Sequence, residues 1–287
     1  MPSYVTAFCP GHISGYFKPV KGDDFSTTGS IGAGIVINEG VLVRVGKSDL
    51  KSVCVRRLDT SGRVIGEFDA SPPIIYLMEQ FGINARIITE CRLPIGAGFG
   101  LSAAALMASA SAMNVAFDLG LSREECAGYA HESEIVHRTG LGDVAACQAG
   151  GRDCRKGPGI GAEITRHFDI DDPVFALNFS SLYSPSVLGS PERLLQVAAA
   201  FPGDCPATVH DFFSFSRSFA EKSGLLTPEV RRVLAECDSL DIMASMTMLG
   251  NGIFAYGREA AGVLSRFGEI FELKAASEGV RILETCI

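Results

Sequence analysis

The sequence has no Cys-x-x-Cys pair, no cysteine and histidine set spaced as a metal site, and no low-complexity tract. Its nine cysteines are an odd number and are scattered singly, which predicts reduced, mostly buried thiols rather than a disulfide framework. The amino-terminal residues show no basic leader followed by an apolar stretch, so we expect neither secretion nor organelle import. These absences predict a cytoplasmic protein.

Positive charge is also scarce. The chain has 25 Lys and Arg residues against 33 Asp and Glu residues, which gives a formal net charge of −8 at pH 7. Such a surface repels a phosphate backbone, and no run of Lys and Arg interleaved with aromatics offers a local exception. Nucleic acid is therefore excluded as a partner. A nucleotide is not, because nucleotide sites use backbone N–H groups, Mg²⁺ and a few local cations.

One stretch, from Leu93 to Phe117, carries no charged residue. Its length alone would suggest a membrane span. However, Pro94, three glycines and a remainder rich in Ser and Ala supply too little transfer free energy for insertion. The stretch predicts a glycine-rich loop that leads into a buried helix, and no membrane partner.

The order of secondary structure is predicted from periodicity and turn residues. Strands are predicted at Tyr4–Phe8, Ile35–Asn38, Val41–Val45, Val53–Arg57, Val64–Phe68 and Ala85–Cys91. Helices are predicted from Ser71 to Phe81 and from Ser102 to Leu119, and a third begins at Ser122 with a capping box to Glu125 and ends near Arg138. The remainder is predicted to be α+β, with elements at Ala162–Phe168, Pro173–Phe179, Pro191–Phe201, Val209–Ser223 and Pro228–Asp238 and a terminal helix and strand.

The length of 287 residues exceeds that of most single domains, and 47% hydrophobic residues can form a sizeable core. The segment from Gly150 to Gly161 is dense in glycine and basic residues, which predicts irregular structure and a domain junction. We therefore expect two domains, at residues 1–157 and 158–287.

The glycine-rich loop combines Gly96, Gly98 and Gly100 with a helix that opens at Ser102. Glycines allow backbone N–H groups to converge on a polyphosphate, and the positive end of a helix then faces the anion. There is no Gly-Lys-Ser/Thr and no strand-adjacent G-x-G-x-x-G with a following acid, so P-loop and Rossmann sites are excluded. Turns and close packing explain many glycine runs, and that interpretation stays open on the loop alone.

Three segments together resemble the motifs of the GHMP kinase superfamily. LPIGAGFGLSAAA (93–105) resembles its second motif, AFCPGHISGYF (7–17) its first and MTMLGNGIFAYG (246–257) its third. Glu134 and Asp143 occupy the places of the metal-binding Glu and the catalytic Asp of this superfamily. Leu101 replaces the first of two usual serines, and the first motif lacks the common Gly-Glu-His ending. With TGSIGAG (28–34) and TGLGD (139–143), these departures are most similar to the archaeal pantoate kinase branch.

The resemblance implies an α+β fold in which a first domain with a curved mixed sheet and helices, similar to a domain of a small-subunit ribosomal protein, faces a second α+β domain across the active-site cleft. It implies an ATP- and Mg²⁺-dependent kinase that phosphorylates the primary hydroxyl of pantoate, giving 4-phosphopantoate and ADP in coenzyme A biosynthesis. The alternatives are a kinase for homoserine, mevalonate or shikimate, a related decarboxylase, and a non-catalytic ligand-binding relative. A homodimer is expected, because it is the most frequent assembly of soluble oligomers.

The resemblance and the chemistry of phosphoryl transfer together assign the candidate residues. The ATP phosphates are assigned to Pro94, Gly96, Gly98, Phe99, Gly100, Leu101, Ser102 and Ala103. Ser102 and Glu134 are expected to hold Mg²⁺ through oxygen, and Asp143 to accept or orient the acceptor proton, which makes these three the catalytic set. The acceptor carboxylate is assigned to Arg155, with Ser30 and His131 as further pocket residues.

Each assignment has a structural alternative. Ser102 could be a helix N-cap and Asp143 the N-cap of Val144–Gln148. Glu134 could lie on a solvated helix face, although it shares a face with His131 and Arg138. Arg155 could be a solvated linker charge beside Arg152 and Lys156. The remaining histidines are expected to be surface or core residues, and they are His12, His137, His167 and His210.

Overall fold

Two β-sheets with helices packed on them make up the described part of the chain. The computed structural model describes residues 4–180 and 190–286. Its strands are β1 (Tyr4–Val20), β2 (Gly29–Lys47), β3 (Ser52–Leu58), β4 (Val64–Phe68), β5 (Ala85–Cys91), β6 (Arg152–Arg155), β7 (Ile164–His167), β8 (Val174–Ser180), β9 (Ala244–Met246), β10 (Asn251–Tyr256), β11 (Ile270–Leu273) and β12 (Arg281–Cys286). Its helices are α1 (Pro72–Gln80), α2 (Leu101–Phe117), α3 (Arg123–His137), α4 (Asp143–Cys147), α5 (Pro191–Ala199), α6 (Val209–Lys222), α7 (Pro228–Ser239) and α8 (Glu259–Leu264).

The first sheet has eight strands. Six of them follow the order β12-β1-β2-β5-β3-β4, while β6 pairs with β2 and β7 pairs with β6. The pair β3 and β5 is parallel, and the other pairs are antiparallel. The sheet is therefore mixed, as expected.

The strands β1 and β2 are much longer than the segments predicted within them. The turn predicted at Gly40 is instead a bulge, where the register shifts between Pro10 and Gly11 and the pairing continues on both sides. Gly40 fits there because a Cβ atom would lie 2.1 Å from the carbonyl oxygen of Cys9. Bulges of this kind bend a strand without ending it. The bend carries Gly11, His12 and the residues after them toward the site described below.

The helix α2 lies against β1 and β2, and α3 packs on α2. Small residues line α2 and are buried along most of its length, which lets the helix approach the sheet closely. At the start of α3, Ser122 accepts from the Glu125 N–H and the Glu125 side chain accepts from the Ser122 N–H, so the predicted capping box is confirmed. Within residues 4–180 and 190–286, no helix is long and apolar enough to cross a membrane.

The second sheet has the order β11-β8-β10-β9. The helices α6 and α7 pack against β9, and α8 packs against β8. Tyr16 of β1 connects the first sheet to the helices of the second half, since its ring contacts Phe201, which follows α5, and Phe219 of α6 at centroid distances of 5.8 and 6.4 Å. One continuous cluster of buried hydrophobic residues therefore runs through both halves of the chain.

The prediction of irregular structure between Gly150 and Gly161 is wrong for its first part, where β6 pairs with both β2 and β7. All four residues of β6 are buried. Three of them are charged and make ion pairs and hydrogen bonds inside the fold, so hydropathy does not reveal the strand. The strands β7 and β12 both follow residue 157 and belong to the first sheet, so sheet membership does not change there. The division at that residue stays a prediction.

The prediction that the cysteines are reduced is wrong for two of them. Cys154 of β6 and Cys205 form a disulfide across 51 residues of sequence. The other seven cysteines are free thiols. The pair was not predictable from spacing, because a bridge between such distant residues depends on how the chain folds back.

Candidate active site

A cavity of about 610 Å³ opens where the three segments with superfamily-like motifs meet. His12 and Ser14 of β1, the glycine-rich loop, and Met248 and Leu249 of the β9–β10 turn all line it. The loop between α3 and α4 closes another side through Thr139, Leu141, Gly142 and Asp143. The three segments are distant in the sequence, and the fold brings them around one space.

The glycine-rich loop connects β5 to α2 in a backbone conformation that favours glycine. Gly96, Gly98 and Gly100 have φ values of 76°, 83° and 61°. A Cβ atom on Gly98 would lie 2.7 Å from the Met248 carbonyl oxygen, and one on Gly100 would lie 3.0 Å from the His12 nitrogen. The loop is therefore packed between the first and third segments.

The residues assigned to the ATP phosphates differ in where they lie. The ones that line the cavity are Gly96, Gly98, Phe99, Gly100, Leu101 and Ser102. Pro94 and Ala103 are buried and lie outside the lining. The ring of Phe99 packs against Phe271 with centroids 6.3 Å apart, and the Phe99 carbonyl accepts a hydrogen bond from the His12 N–H at 2.9 Å. The Phe99 side chain thus belongs to the core.

Ser102 is not a helix cap. The N-cap of α2 is Gly100, in the left-handed region and without a side-chain cap, and Ser102 is the second helical residue. The first N–H groups of a helix have no hydrogen-bond partner within the helix. The N–H groups at the start of α2 therefore make no intrahelical bonds, and they lie at the cavity wall. The hydroxyl of Ser102 lies on the same wall.

Glu134 is completely buried on the inner face of α3 rather than solvated. Neither of its carboxylate oxygens makes a well-formed hydrogen bond to any residue in the described ranges. Burial, and then the charge of Asp143, raise the pKa of Glu134 well above its usual range, while the Val144 N–H and Arg155 oppose the shift less strongly. Arg138 leaves this face, because it is the exposed C-cap of α3. A buried carboxylate without well-formed hydrogen bonds offers oxygen ligands to a hard cation, and such a cation would neutralise its charge.

Asp143 is the first residue of α4, which follows Gly142 as N-cap. Its carboxylate is 22% exposed and borders the cavity. His12 Nδ1–H donates to Asp143 Oδ1 at 2.7 Å, and the Ser14 hydroxyl approaches the same oxygen at 3.4 Å. Burial alone would raise the pKa of Asp143, but the hydrogen bond and charge of His12, with Arg155, lower it. Asp143 is therefore held as an anion.

His12 is not a simple core histidine. Its second ring nitrogen, Nε2, donates to Asp153 Oδ1 at 2.7 Å. Burial would lower the pKa of His12, but Asp153 and Asp143 together raise it to about 9. Asp153 in turn pairs with the guanidinium of Arg155. Sequence reasoning missed His12, Ser14 and Asp153, although the first two lie within the segment 7–17 already singled out.

Two of the three residues assigned to the acceptor lie together. Ser30 lines the cavity, and Gly142 packs so closely that a Cβ atom there would lie 2.4 Å from Ser30 Oγ and 3.0 Å from Arg155 Nε. Arg155 is buried rather than a solvated linker charge, and its Nε has no partner among the residues described. His131 lies behind the wall, where Nε2–H donates to the Thr28 carbonyl at 2.9 Å and burial lowers its pKa.

Similarity to known proteins agrees with this arrangement. A profile of the family described as GHMP kinases N terminal domain matches residues 72–151. The chain is 47% identical over 279 residues to a pantoate kinase of Methanospirillum hungatei, covering 97% of this chain and 96% of that protein. It is 30% identical over 277 residues to a pantoate kinase of Thermococcus kodakarensis, covering 89% and 88%. A solved structure described as a phosphotransferase related to the CoA biosynthesis pathway matches with a TM-score of 0.78 and 26% identity, covering 97% and 98%.

The fold, the loop and these relatives define the class of the protein as an ATP-dependent small-molecule kinase. More narrowly, the chain belongs to the GHMP kinase family.

Proposed function

We propose that this chain transfers the γ-phosphoryl group of ATP to the primary hydroxyl of pantoate, giving 4-phosphopantoate and ADP in coenzyme A biosynthesis. The proposal is supported by the likeness to pantoate kinases along nearly the whole chain. The structural observation that carries it is that the glycine-rich loop and the partly exposed Asp143 line one cavity, with Arg155 buried beside Gly142 of the same lining.

ATP would lie along the loop with its phosphates at the start of α2. Backbone N–H groups from Gly96 to Ser102 would hold the phosphates, as helix N-termini hold anions elsewhere. The lining of the cavity also includes apolar side chains, among them Val55, Phe68 and Ile74. Such a surface suits the adenine ring, which is planar and weakly hydrated.

Mg²⁺ fits the oxygen donors that Ser102 and Glu134 would present. Glu134 has two buried carboxylate oxygens without well-formed bonds in the described chain, and they lie beside Gly140, whose neighbours Thr139 and Leu141 in the same loop line the cavity. Ser102 lines the cavity itself. Oxygen ligands are the type that this ion prefers. When bound, the ion would neutralise charge on the phosphates during transfer.

The acceptor would lie between Ser30, Arg155 and Asp143. The planar guanidinium of Arg155 suits a carboxylate, and its Nε, without a partner in the described chain, lies beside Gly142. Asp143 would orient the acceptor hydroxyl and take its proton as the phosphoryl group arrives. A carboxylate held anionic is a weak base, which suits phosphoryl transfer because the proton leaves late in a loose transition state.

The test is ADP release with ATP, Mg²⁺ and each candidate acid in turn. Pantoate should give turnover well above the blank without acceptor, whereas homoserine, mevalonate and shikimate should not. Turnover with one of those acids alone would replace pantoate as the acceptor. In D143N, turnover should fall by roughly 100-fold or more, as expected for loss of a proton acceptor, with ATP affinity retained. Unchanged turnover would remove Asp143 from the reaction.

We further propose that the protein is a cytoplasmic homodimer of two-domain subunits, divided near residue 157. Seven free thiols suit a reducing compartment, whereas the bridge between Cys154 and Cys205 is of a kind more frequent in oxidising ones. Light scattering of the purified protein tests the dimer. Limited proteolysis tests the division, because an exposed junction near residue 157 should be cut before the sheets are.

A further inference from the structure

His12 is enclosed by two carboxylates that are far from it in the sequence. Asp143 and Asp153 each accept from one of its ring nitrogens at 2.7 Å, and the His12 side chain is fully buried. A neutral imidazole has one N–H, so a ring that faces an anionic acceptor on both sides must carry two. The geometry therefore requires an imidazolium at this position.

The ring is held in a slot that glycines make possible. A Cβ atom on Gly34 would lie 2.1 Å from His12 Nε2, and one on Gly100 would lie 3.1 Å from His12 Cβ. The His12 N–H also donates to the Phe99 carbonyl at 2.9 Å. One residue thus ties the glycine-rich loop to Asp143 through its backbone and its side chain.

The hydrogen bonds continue beyond the ring. Asp153 pairs with Arg155 through its second carboxylate oxygen, so Arg155, Asp153, His12 and Asp143 form one chain of alternating charge. Alternating buried charges stabilise one another only while every member stays in place. Of the two carboxylates around His12, only Asp143 is partly exposed to the cavity.

We propose that His12 is a positioning residue for phosphoryl transfer, which holds the Asp143 carboxylate in its working orientation and supplies the positive charge beside it. Asp153 serves as the anchor that fixes the ring from its other side. This inference rests on the proposed role of Asp143 at the acceptor hydroxyl. In this role His12 does not touch the reacting atoms.

Two substitutions separate the two sides of the ring. The amide of H12N reaches about as far as Nδ1 and can still donate to Asp143, whereas the amide of H12Q reaches about as far as Nε2 and can donate only to Asp153. Loss of a supporting partner commonly costs 10- to 100-fold in activity. We expect kcat to fall on the order of 100-fold in H12Q and on the order of 10-fold in H12N, with KM for ATP changed by less than about twofold.

The control is H210N, at an exposed histidine of α6 outside the cavity lining, which should keep wild-type kcat. Circular dichroism establishes that each variant is folded. Equal losses in H12N and H12Q, or losses confined to KM, would overturn the proposal. If D143N is inactive while H12Q keeps wild-type kcat, only the role of His12 fails. If D143N keeps full turnover, the proposed role of Asp143 fails first and that of His12 fails with it.

Should either variant not fold, ¹⁵N spectra of the wild-type protein at pH 7 test the same inference. Both ring nitrogens of His12 should carry protons there, because Asp143 and Asp153 face the ring with Arg155 and Cys147 nearby. A ring with one bare nitrogen at this pH would overturn the proposal.

Discussion

At the scale of single residues, Glu134 combines a cost to folding with a proposed use in binding. A buried carboxylate without partners destabilises a folded chain unless a ligand compensates it. The same environment would make it a strong donor for a cation that arrives with the nucleotide. Stability and activity should therefore move in opposite directions when this carboxylate is replaced.

We expect E134Q to raise the free energy of unfolding of the ligand-free protein by about 1–3 kcal/mol, because an amide costs less to bury than a carboxylate. Its kcat should fall on the order of 100-fold or more, since the amide would hold Mg²⁺ more weakly and the positive charge beside the transferring group would be lost. Urea unfolding followed by circular dichroism measures the first effect, and ADP release the second. E124Q, at an exposed position of α3, is the control and should change neither. An E134Q variant that is less stable and fully active would contradict the expectation.

The stability of the protein should also depend on pH through His12. Its pKa in the folded protein, about 9, lies above the usual 6.5. Protonation therefore favours the folded state, and this contribution is complete below pH 6.5 and is lost as the pH rises to about 9. The shift corresponds to about 3 kcal/mol as an upper value. Urea unfolding at pH 6 and pH 9 should show the loss in the wild-type protein and not in H12N. Parallel pH dependence in both would exclude His12 as its source.

Sequence could identify some of these residues and not others. Glu134 and Asp143 occupy recognisable positions, and the cap at Ser122 follows from a local pattern. His12 could not be assigned, because Asp143 and Asp153 lie 131 and 141 residues away along the chain. Its environment exists only once β1, β6 and the start of α4 are packed together.

At the scale of elements, helices were predictable because they follow local periodicity and caps. The strand β5 was predicted with its full bounds, whereas β1 and β2 were predicted as shorter pieces. Glycines that mark turns in short-range statistics also mark bulges, and only the partner strand distinguishes the two. The strand β6 was missed because its charged residues are neutralised by distant groups.

The glycine-rich loop gives a prediction that belongs to this scale. Gly98 and Gly120 both have positive φ, at 83° and 69°. A Cβ atom on Gly98 would meet close neighbours, whereas a Cβ atom on Gly120 would have none of the described atoms within 4 Å. Each Ala substitution should cost about 1 kcal/mol for the backbone conformation. G98A should cost about 1–3 kcal/mol more, because the loop must move away from Met248, and should weaken ATP binding. Equal unfolding free energies for G98A and G120A would show that the contact with Met248 has no effect.

At the scale of the whole molecule, the chain crosses between its two sheets more often than the sequence suggests. The α+β class and the mixed sheet were expected. The return of β12 to the first sheet was not, since its pairing with β1 joins the two ends of the described chain and leaves no local mark. Tyr16 reinforces the connection, because its hydroxyl donates to the Asp204 carbonyl at 2.9 Å. The segment that begins at Asp204 has a second attachment, to β6.

That second attachment is the disulfide, which closes a loop of 51 residues around the junction of the two sheets. Closing a loop of this length removes entropy from the unfolded chain and stabilises the fold by up to about 4 kcal/mol. C205S should therefore unfold at lower urea concentration than the wild-type protein, and Cys205 is exposed, so the substitution itself removes little packing. A reducing agent should bring the wild-type curve to that of C205S and leave C205S unchanged. C54S, at a free cysteine, serves as control and should retain the response to reductant. Arg152 of β6 also donates hydrogen bonds to the Pro206 carbonyl and to Asp169, so these bonds already attach this segment and the residues after β7 to β6. If the wild-type protein unfolds at the same urea concentration with and without reductant, the bridge adds no stability beyond those bonds.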